Sequence, residues 1–468
     1  MKIVMFSINP LYPDRVMGGA PKQLQKVAEH LGGLGHEVVI LCTAHADSHT
    51  PFEWAGGVQV RPQLRFKQPF PQPYDTPAYH IANAIQDVAE ALEGADRFYM
   101  HDGELLFPPV YRQVPTVVSL RDNVYPETML GGFLFQGDTL IAISNYARDY
   151  YVHTMGRFFP EFRQRTRVIH NGMDWSRFQP TVPNEVLRYL PQGITNYRLV
   201  LHPHRPEPSK GLPQTIAVVD ALVHEHGLTD IRVLMPKWIE SGVGPEVWAF
   251  YGQMRDEIAA RELTDYFVFH EWIPQRLMHE YYSLGAVTLA LGHFVEAFGN
   301  VPYESLGCGT PAIVARVATH RELLPDEMMD KVHFGQNGQA AAIAAEIIRT
   351  GRRTSAETLA YLQANLGVKA QLDGYADAIL NAQQRGDLVY GYTPRTAHTR
   401  YRLAPWCYVW SGGVYHDFKA EHADLPELVE VVNGLPEGFT VAEAAQLGIS
   451  AAVVEGWYRE GYVVLAGR

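Results

Sequence analysis

Cysteine is scarce. Cys42, Cys308 and Cys407 lie far apart along 468 residues, and an odd number leaves at least one unpaired. That pattern excludes a disulfide framework and a zinc set, and it fits a reducing compartment. Long apolar runs are missing too. No uncharged stretch approaches the roughly 20 apolar residues that span a bilayer. The first ten residues, MKIVMFSINP, carry one basic residue and a short apolar run, unlike a secretory leader. The expectation is a cytoplasmic protein. Basic residues are in the minority: 39 Lys and Arg against 51 Asp and Glu leave a net charge of −12, which argues against a nucleic-acid partner. The 40 Gly and 31 Pro follow no period, so collagen-like and low-complexity designs are out. Twenty histidines include no metal-ligand spacing, and no metal is expected. There is no Gly-x-Ser-x-Gly elbow and no Gly-x4-Gly-Lys-Ser/Thr loop.

What is present is alternation. Ile3 to Ile8 reads as a buried strand, followed by a loop from Asn9 to Gly19. Leu24, Val27, Ala28 and Leu31 then recur at helical spacing, and Val38 to Leu41 forms the next apolar run. Strand, helix and strand within about 40 residues make a βαβ unit and a parallel sheet. Arg97–Met100, Val117–Leu120 and Leu140–Ile143 extend it. A second alternating block starts near Tyr197, with strands at 199–201, 231–235, 267–269, 287–290 and 312–314. The expected architecture is α/β. Two Rossmann-like, doubly wound domains (1–180 and 190–380) face a cleft and are joined by a Pro-bearing linker near 178–196. A small, mainly helical appendage spans 396–468. Open α/β sheets bind ligands beyond the carboxyl ends of their strands.

In the appendage, Thr440 to Ser450 resembles the first helix and turn of a helix-turn-helix, and Gly461 to Leu465 reads as a strand after the second helix. Residues 421–468 hold eight carboxylates and two arginines, the wrong balance for reading DNA. The reading is a winged-helix-like module for peptide recognition or dimerisation.

The segment carrying most chemistry runs Val295-Glu296-Ala297-Phe298-Gly299-Asn300-Val301-Pro302-Tyr303-Glu304. A helix starting near Asn300 presents free backbone N–H groups, suited to phosphate or a sugar face. Glu304, one turn in, is placed to accept vicinal hydroxyls. This stretch resembles the Glu-x7-Glu signature of retaining GT-B glycosyltransferases, particularly glycosyltransferase family 4. Gly18-Gly19-Ala20 before a helix, Gly35-His36-Glu37-Val38, Arg167 to Asp174, and Arg205 with Lys210-Gly211 are similar to other family segments in the family's order. The likeness covers roughly residues 1–380.

The resemblance implies a retaining transfer of a sugar from a nucleotide donor to an acceptor hydroxyl, without a metal or other cofactor. A UDP-sugar is the first expectation and a GDP-sugar the alternative. Arg205 and Lys210 would hold the diphosphate, Glu296 the donor sugar, and Glu304 the ribose. Phe298, Gly299 and Asn300 would offer backbone contacts to that sugar. In the first domain, the Gly18-Gly19 loop would approach the phosphates. His101-Asp102, after a strand, would lie near the sugar hydroxyls, and Ser144 and Arg148 are further candidates. The appended module points to a macromolecular or peptide acceptor. The chain departs from the family at His204, where a Gly is common, and at Glu271-Trp272. Two other readings share these features: another GT-B enzyme, such as a sugar-nucleotide epimerase or phosphorylase, and a non-catalytic binding protein acting through its tail.

Overall fold

The computed structural model describes residues 1–16, 18–67, 75–103, 105, 107–205, 207–237, 245–391 and 394–466. It divides into two units, Met1–His170 with Gln371–Arg468, and Asn171–Ala370.

The first unit is built on β1 (Lys2–Pro10), α1 (Gly19–Gly33), β2 (Glu37–Thr43), β3 (Phe52–Trp54), β4 (Val58–Leu64), α2 (Ala78–Leu92), β5 (Arg97–His101), β6 (Thr116–Leu120), α3 (Pro126–Phe133), β7 (Thr139–Ala142), α4 (Asn145–His153), α5 (Phe162–Arg165) and β8 (Thr166–Val168). The sheet order is β3-β4-β2-β1-β5-β6-β7-β8, parallel throughout except for β3 against β4. Strands buried on both faces read as continuous apolar runs, and Ile3 to Phe6 are fully buried. The helical spacing of Leu24, Val27, Ala28 and Leu31 lays one face of α1 into the same core.

The second unit comprises β9 (Arg198–Leu201), α6 (Leu212–Asp220), β10 (Ile231–Pro236), α7 (Pro245–Ala260), β11 (Phe267–His270), α8 (Met278–Leu284), β12 (Gly285–Ala290), α9 (Asn300–Gly307), β13 (Ala312–Ala315), β14 (Asp330–Val332), α10 (Asn337–Thr350) and α11 (Ala356–Asn365). Its six-stranded sheet has the order β11-β10-β9-β12-β13-β14, wholly parallel. The two doubly wound α/β sheets expected from the alternation are both present.

The boundaries differ from the expected 1–180 and 190–380. The stretch read as a linker is part of the second unit, where Phe178, Val186, Leu190 and Ile194 are buried in a core with Leu199, Leu201 and Tyr282. The helix α12 (Val368–Leu380) begins in the second unit, but Tyr375, Ala376 and Ile379 pack with Ile3, Met5, Val117 and Ile141 in the core of the first.

The tail is also more than an appendage. It contains β15 (Arg400–Leu403), β16 (Cys407–Trp410), β17 (Gly413–His416), β18 (Glu421–Ala423), α13 (Pro426–Gly434), β19 (Phe439–Thr440), α14 (Val441–Gln446), α15 (Ala451–Arg459) and β20 (Val463–Leu465). Two three-stranded antiparallel sheets, β19-β15-β20 and β16-β17-β18, accompany its three short helices. Thr440 caps α14 in a reciprocal pair with Glu443, and Gly448 (φ +81°) turns the chain into α15. The tail packs on α4. The Tyr146 hydroxyl donates to Asp417 at 2.7 Å in a buried contact, and the Tyr150 ring lies 4.9 Å from Phe418 and 5.5 Å from Trp406. No helix among the described residues is long and apolar enough to cross a membrane.

Candidate functional site

Each sheet has one point where the strand order reverses, and a ligand crevice is expected at that switch. In the second unit it lies between β9 and β12. The turn after β9 carries Lys210; the loop after β12 carries Glu296. Lys210 Nζ donates to Glu296 Oε1 at 2.8 Å, and both side chains keep some solvent access, 15% and 25%. The ammonium also sits 3.5 Å from the centroid of the Phe294 ring, a cation–π contact.

Two glycines make the junction possible. Gly211, at φ +87°, lies so close to the other loop that a Cβ there would be 2.4 Å from the Gly292 nitrogen; one on Gly292 would be 2.3 Å from the Ser209 carbonyl oxygen. Phe294 N–H donates to that same Ser209 carbonyl at 3.0 Å, fixing the two loops together.

The loop then enters α9 through Gly299, at φ +71°, where a Cβ would meet the His320 ring at 2.7 Å. Phe298 is buried, its ring 5.4 Å from Tyr303. The Asn300 amide oxygen accepts from Asn171 Nδ2 at 3.3 Å. Glu304 is placed more deeply than expected: it is 6% exposed, and the Tyr282 hydroxyl donates to its Oε2 at 3.2 Å. Arg205 pairs with Glu207 at 3.1 Å on a half-exposed side chain.

In the first unit the switch lies between β1 and β5, and the predicted residues again meet there. His101, fully buried, places Nε2 2.8 Å from the Ala20 carbonyl and Nδ1 2.7 Å from the Tyr99 hydroxyl. A carbonyl can only accept, so Nε2 carries the proton and Nδ1 accepts from the phenol. Burial, reinforced by Arg121, holds the imidazole well below its ordinary pKa and keeps it neutral. His101 therefore positions the segment following Gly18-Gly19, and both its nitrogens are engaged within the chain.

Asp102 adopts φ +55°; its Oδ1 accepts from the Arg121 backbone at 2.9 Å and the Thr128 hydroxyl at 3.2 Å, while burial pushes its carboxyl up. Gly18, at φ +92°, precedes α1, and a Cβ on Gly19 would meet no atom within 4 Å. Ser144 caps α4, fully buried and accepting from Ala147 N at 3.0 Å. Arg148 pairs with its neighbour Asp149 at 2.8 Å.

Sequence reasoning missed Phe294, the Gly211–Gly292 contact and the Tyr303–His320 pair; these meet only through the sheet topology. No group of three or more His, Cys, Asp or Glu among the described residues forms a metal cluster.

Comparison with known proteins agrees with both halves. Residues 17–177 match the Glycosyltransferase Family 4 model, and residues 192–352 match Glycosyl transferases group 1. The Anabaena protein HepE, solved with UDP-glucose, superposes with a TM-score of 0.63 at 19% identity, covering 82% of this chain and all of that one. The chain has the GT-B fold, and two glycosyltransferase family models match successive stretches of it. Trehalose-6-phosphate synthase of E. coli, bound to UDP-2-fluoro glucose, gives a TM-score of 0.61 at 15% identity over 81% of this chain and 98% of that one. Such identities establish the GT-B fold. Among curated relatives, spore coat protein SA of Bacillus subtilis is 21% identical over 229 residues, 47% of this chain and 59% of that protein. Alpha-monoglucosyldiacylglycerol synthase of Streptococcus pneumoniae is 24% identical over 270 residues, 56% of each. The chain thus spans a little over half the length of the curated relatives it matches.

Proposed function

We propose that this chain is a retaining glycosyltransferase whose second unit holds a nucleoside-diphosphate sugar at the β9–β12 switch. The observation that carries this reading is the Lys210–Glu296 pair, poised over the first turn of α9 with backbone N–H groups at Gly299 and Asn300. A departing nucleoside diphosphate builds negative charge, and a fixed ammonium with helix N–H donors stabilises it in the transition state without a metal. Arg205 adds a second cation by exchanging Glu207 for phosphate. Glu296, freed from Lys210 as the phosphates take its place, accepts from a donor-sugar hydroxyl, and Glu304 takes a ribose hydroxyl. Retention follows if the leaving phosphate itself accepts the proton of the acceptor hydroxyl on the same face. The protein's share is then alignment and charge stabilisation.

The solved neighbours that hold UDP or UDP-glucose support a UDP-sugar donor, with a GDP-sugar as the alternative. Three buried free cysteines, with the Cys42 and Cys308 thiols pushed by burial up to about 12, fit a reducing cytoplasm.

Gly19 leaves the start of α1 bare, which suits close approach of a phosphate or acceptor. The tail, with its helix-turn-helix and net negative charge, selects a macromolecular or peptide acceptor. Because it packs on α4, a point change on its exposed turn is the fair probe: Leu447→Lys should lower transfer and leave donor hydrolysis unchanged. The function itself is tested by thermal shift and slow hydrolysis against UDP-, GDP-, ADP-, CDP- and dTDP-sugars in EDTA. A shift and release of one nucleoside diphosphate supports it. No shift with any of them favours a binding protein acting through its tail.

A further inference from the structure

Imidazoles gather around Lys210. His202 and His204 follow β9 with ring centroids 5.2 Å apart and planes at 69°. His202 is fully buried; its Nδ1 lies 2.9 Å from the Thr215 hydroxyl of α6, and its Nε2 has no partner. The Nε2 of His204 is likewise buried and unpartnered. After β13, His320 places Nδ1 2.9 Å from the Tyr303 hydroxyl, and its Cε1–Nε2 edge presses on the Gly299 turn. Buried polar nitrogens are normally satisfied. The unpartnered His204 Nε2, beside Lys210, is accounted for by a ligand that brings a polar partner of its own.

The charges around these rings decide what that ligand does to them. His204 is faced by His202 on its own loop, Lys210 on the next turn and His320 after β13; His320 is faced in addition by Glu296 after β12 and Lys331 on β14. Burial foremost, with the Lys210 ammonium beside both rings, holds His204 well below the ordinary imidazole range and, against the pull of Glu296, His320 down at about 4. Both rings are neutral at pH 7, and the Lys210 charge is offset by Glu296. A multiply charged diphosphate entering beside neutral imidazoles favours their charged form.

We propose that His204 and His320 are further ligands of the donor diphosphate, and that one of the two takes a proton from solvent as the nucleoside diphosphate binds. This rests on the nucleotide-sugar reading above. His204 stands where the resembled family commonly has Gly, so the property belongs to this chain's own residues.

Calorimetric titration of the full chain with UDP, and in a second arm with GDP, tests it in buffers of differing ionisation enthalpy at pH 7.5. The expected result is net uptake approaching one proton per site, with affinity rising by up to about tenfold per pH unit as pH falls from 8 toward 7. Glutamine keeps an N–H donor but cannot titrate, so the double variant His204→Gln/His320→Gln should bind at pH 8 within a few-fold of wild type and take up no proton. His204→Gly serves as a smaller second variant and should lose most of the uptake. Binding by wild type without proton uptake overturns the proposal, as does unchanged uptake in the double variant. Failure of wild type to bind either nucleotide at any pH overturns the donor-site reading, and this proposal with it.

Discussion

In the first unit, the end of β5 and the start of α1 are joined by a neutral bond: His101 Nε2–H to the Ala20 carbonyl, sealed from solvent and backed by Tyr99. In the second, the loops after β9 and β12 are joined by a charged one, Lys210 to Glu296, with solvent access to both partners. The topology puts a junction at the same place in both sheets. A neutral, satisfied, buried junction is a hinge pin; an anion gains nothing by entering it. A part-buried ion pair that keeps solvent access to both partners can trade its carboxylate for a phosphate, since the ammonium keeps a charge-assisted partner in either state. On the proposed function the chemistry belongs to the second switch, and the first holds backbone in place.

The sharpest way to break this contrast is Lys210→Ala. It should lower transfer by about 10²–10³-fold, as loss of a transition-state charge contact does, while leaving the melting temperature nearly unchanged. Steady-state release of nucleoside diphosphate alongside a thermal melt reads both. Gly292→Ala attacks the same junction through its backbone and should destabilise the second unit by about 2–4 kcal/mol, read by chemical denaturation.

Acidification probes both units together. His202 and His320 in the second unit, and His153 in the first, are held at about 4 by burial, against 6.5 in the unfolded chain. The unfolded state therefore binds protons first. Stability is complete above about 6.5 and drains away as pH falls toward 4, and melts at half-unit steps should trace that window.

His101→Ala strikes the other junction. It should cost about 1–3 kcal/mol by stranding the Tyr99 hydroxyl, yet change nucleotide affinity less than about threefold, as calorimetry would show. Gly19→Ala should be nearly neutral in stability, within about 0.5 kcal/mol, since its Cβ meets no atom of the chain, and any loss of transfer would then report ligand approach.

Much of this was legible in the sequence. Parallel strands buried on both faces announce themselves as apolar runs, so Ile3 to Ile8 and Val287 to Ala290 were readable within two residues. The β4 strand was not, because Pro62 and alternating polar residues disguise it. The segment from 178 to 196 reads as a linker because three prolines hide its periodicity, yet four apolar side chains anchor it. Lys210 and Glu296 could be named from their motifs. That they touch, and that Phe294 and His320 join them, depends on strands 9, 12 and 13 being neighbours, which no local pattern encodes. His101 and Ser144 were named for lying at strand ends; the same position served backbone anchoring and helix capping.

The most direct test is calorimetric titration of UDP into wild type, Lys210→Ala and His101→Ala. The account predicts saturable binding by wild type and by the folded His101 variant, and at least a tenfold loss in Lys210→Ala. Equal affinity in all three, or a loss confined to His101→Ala, would contradict it.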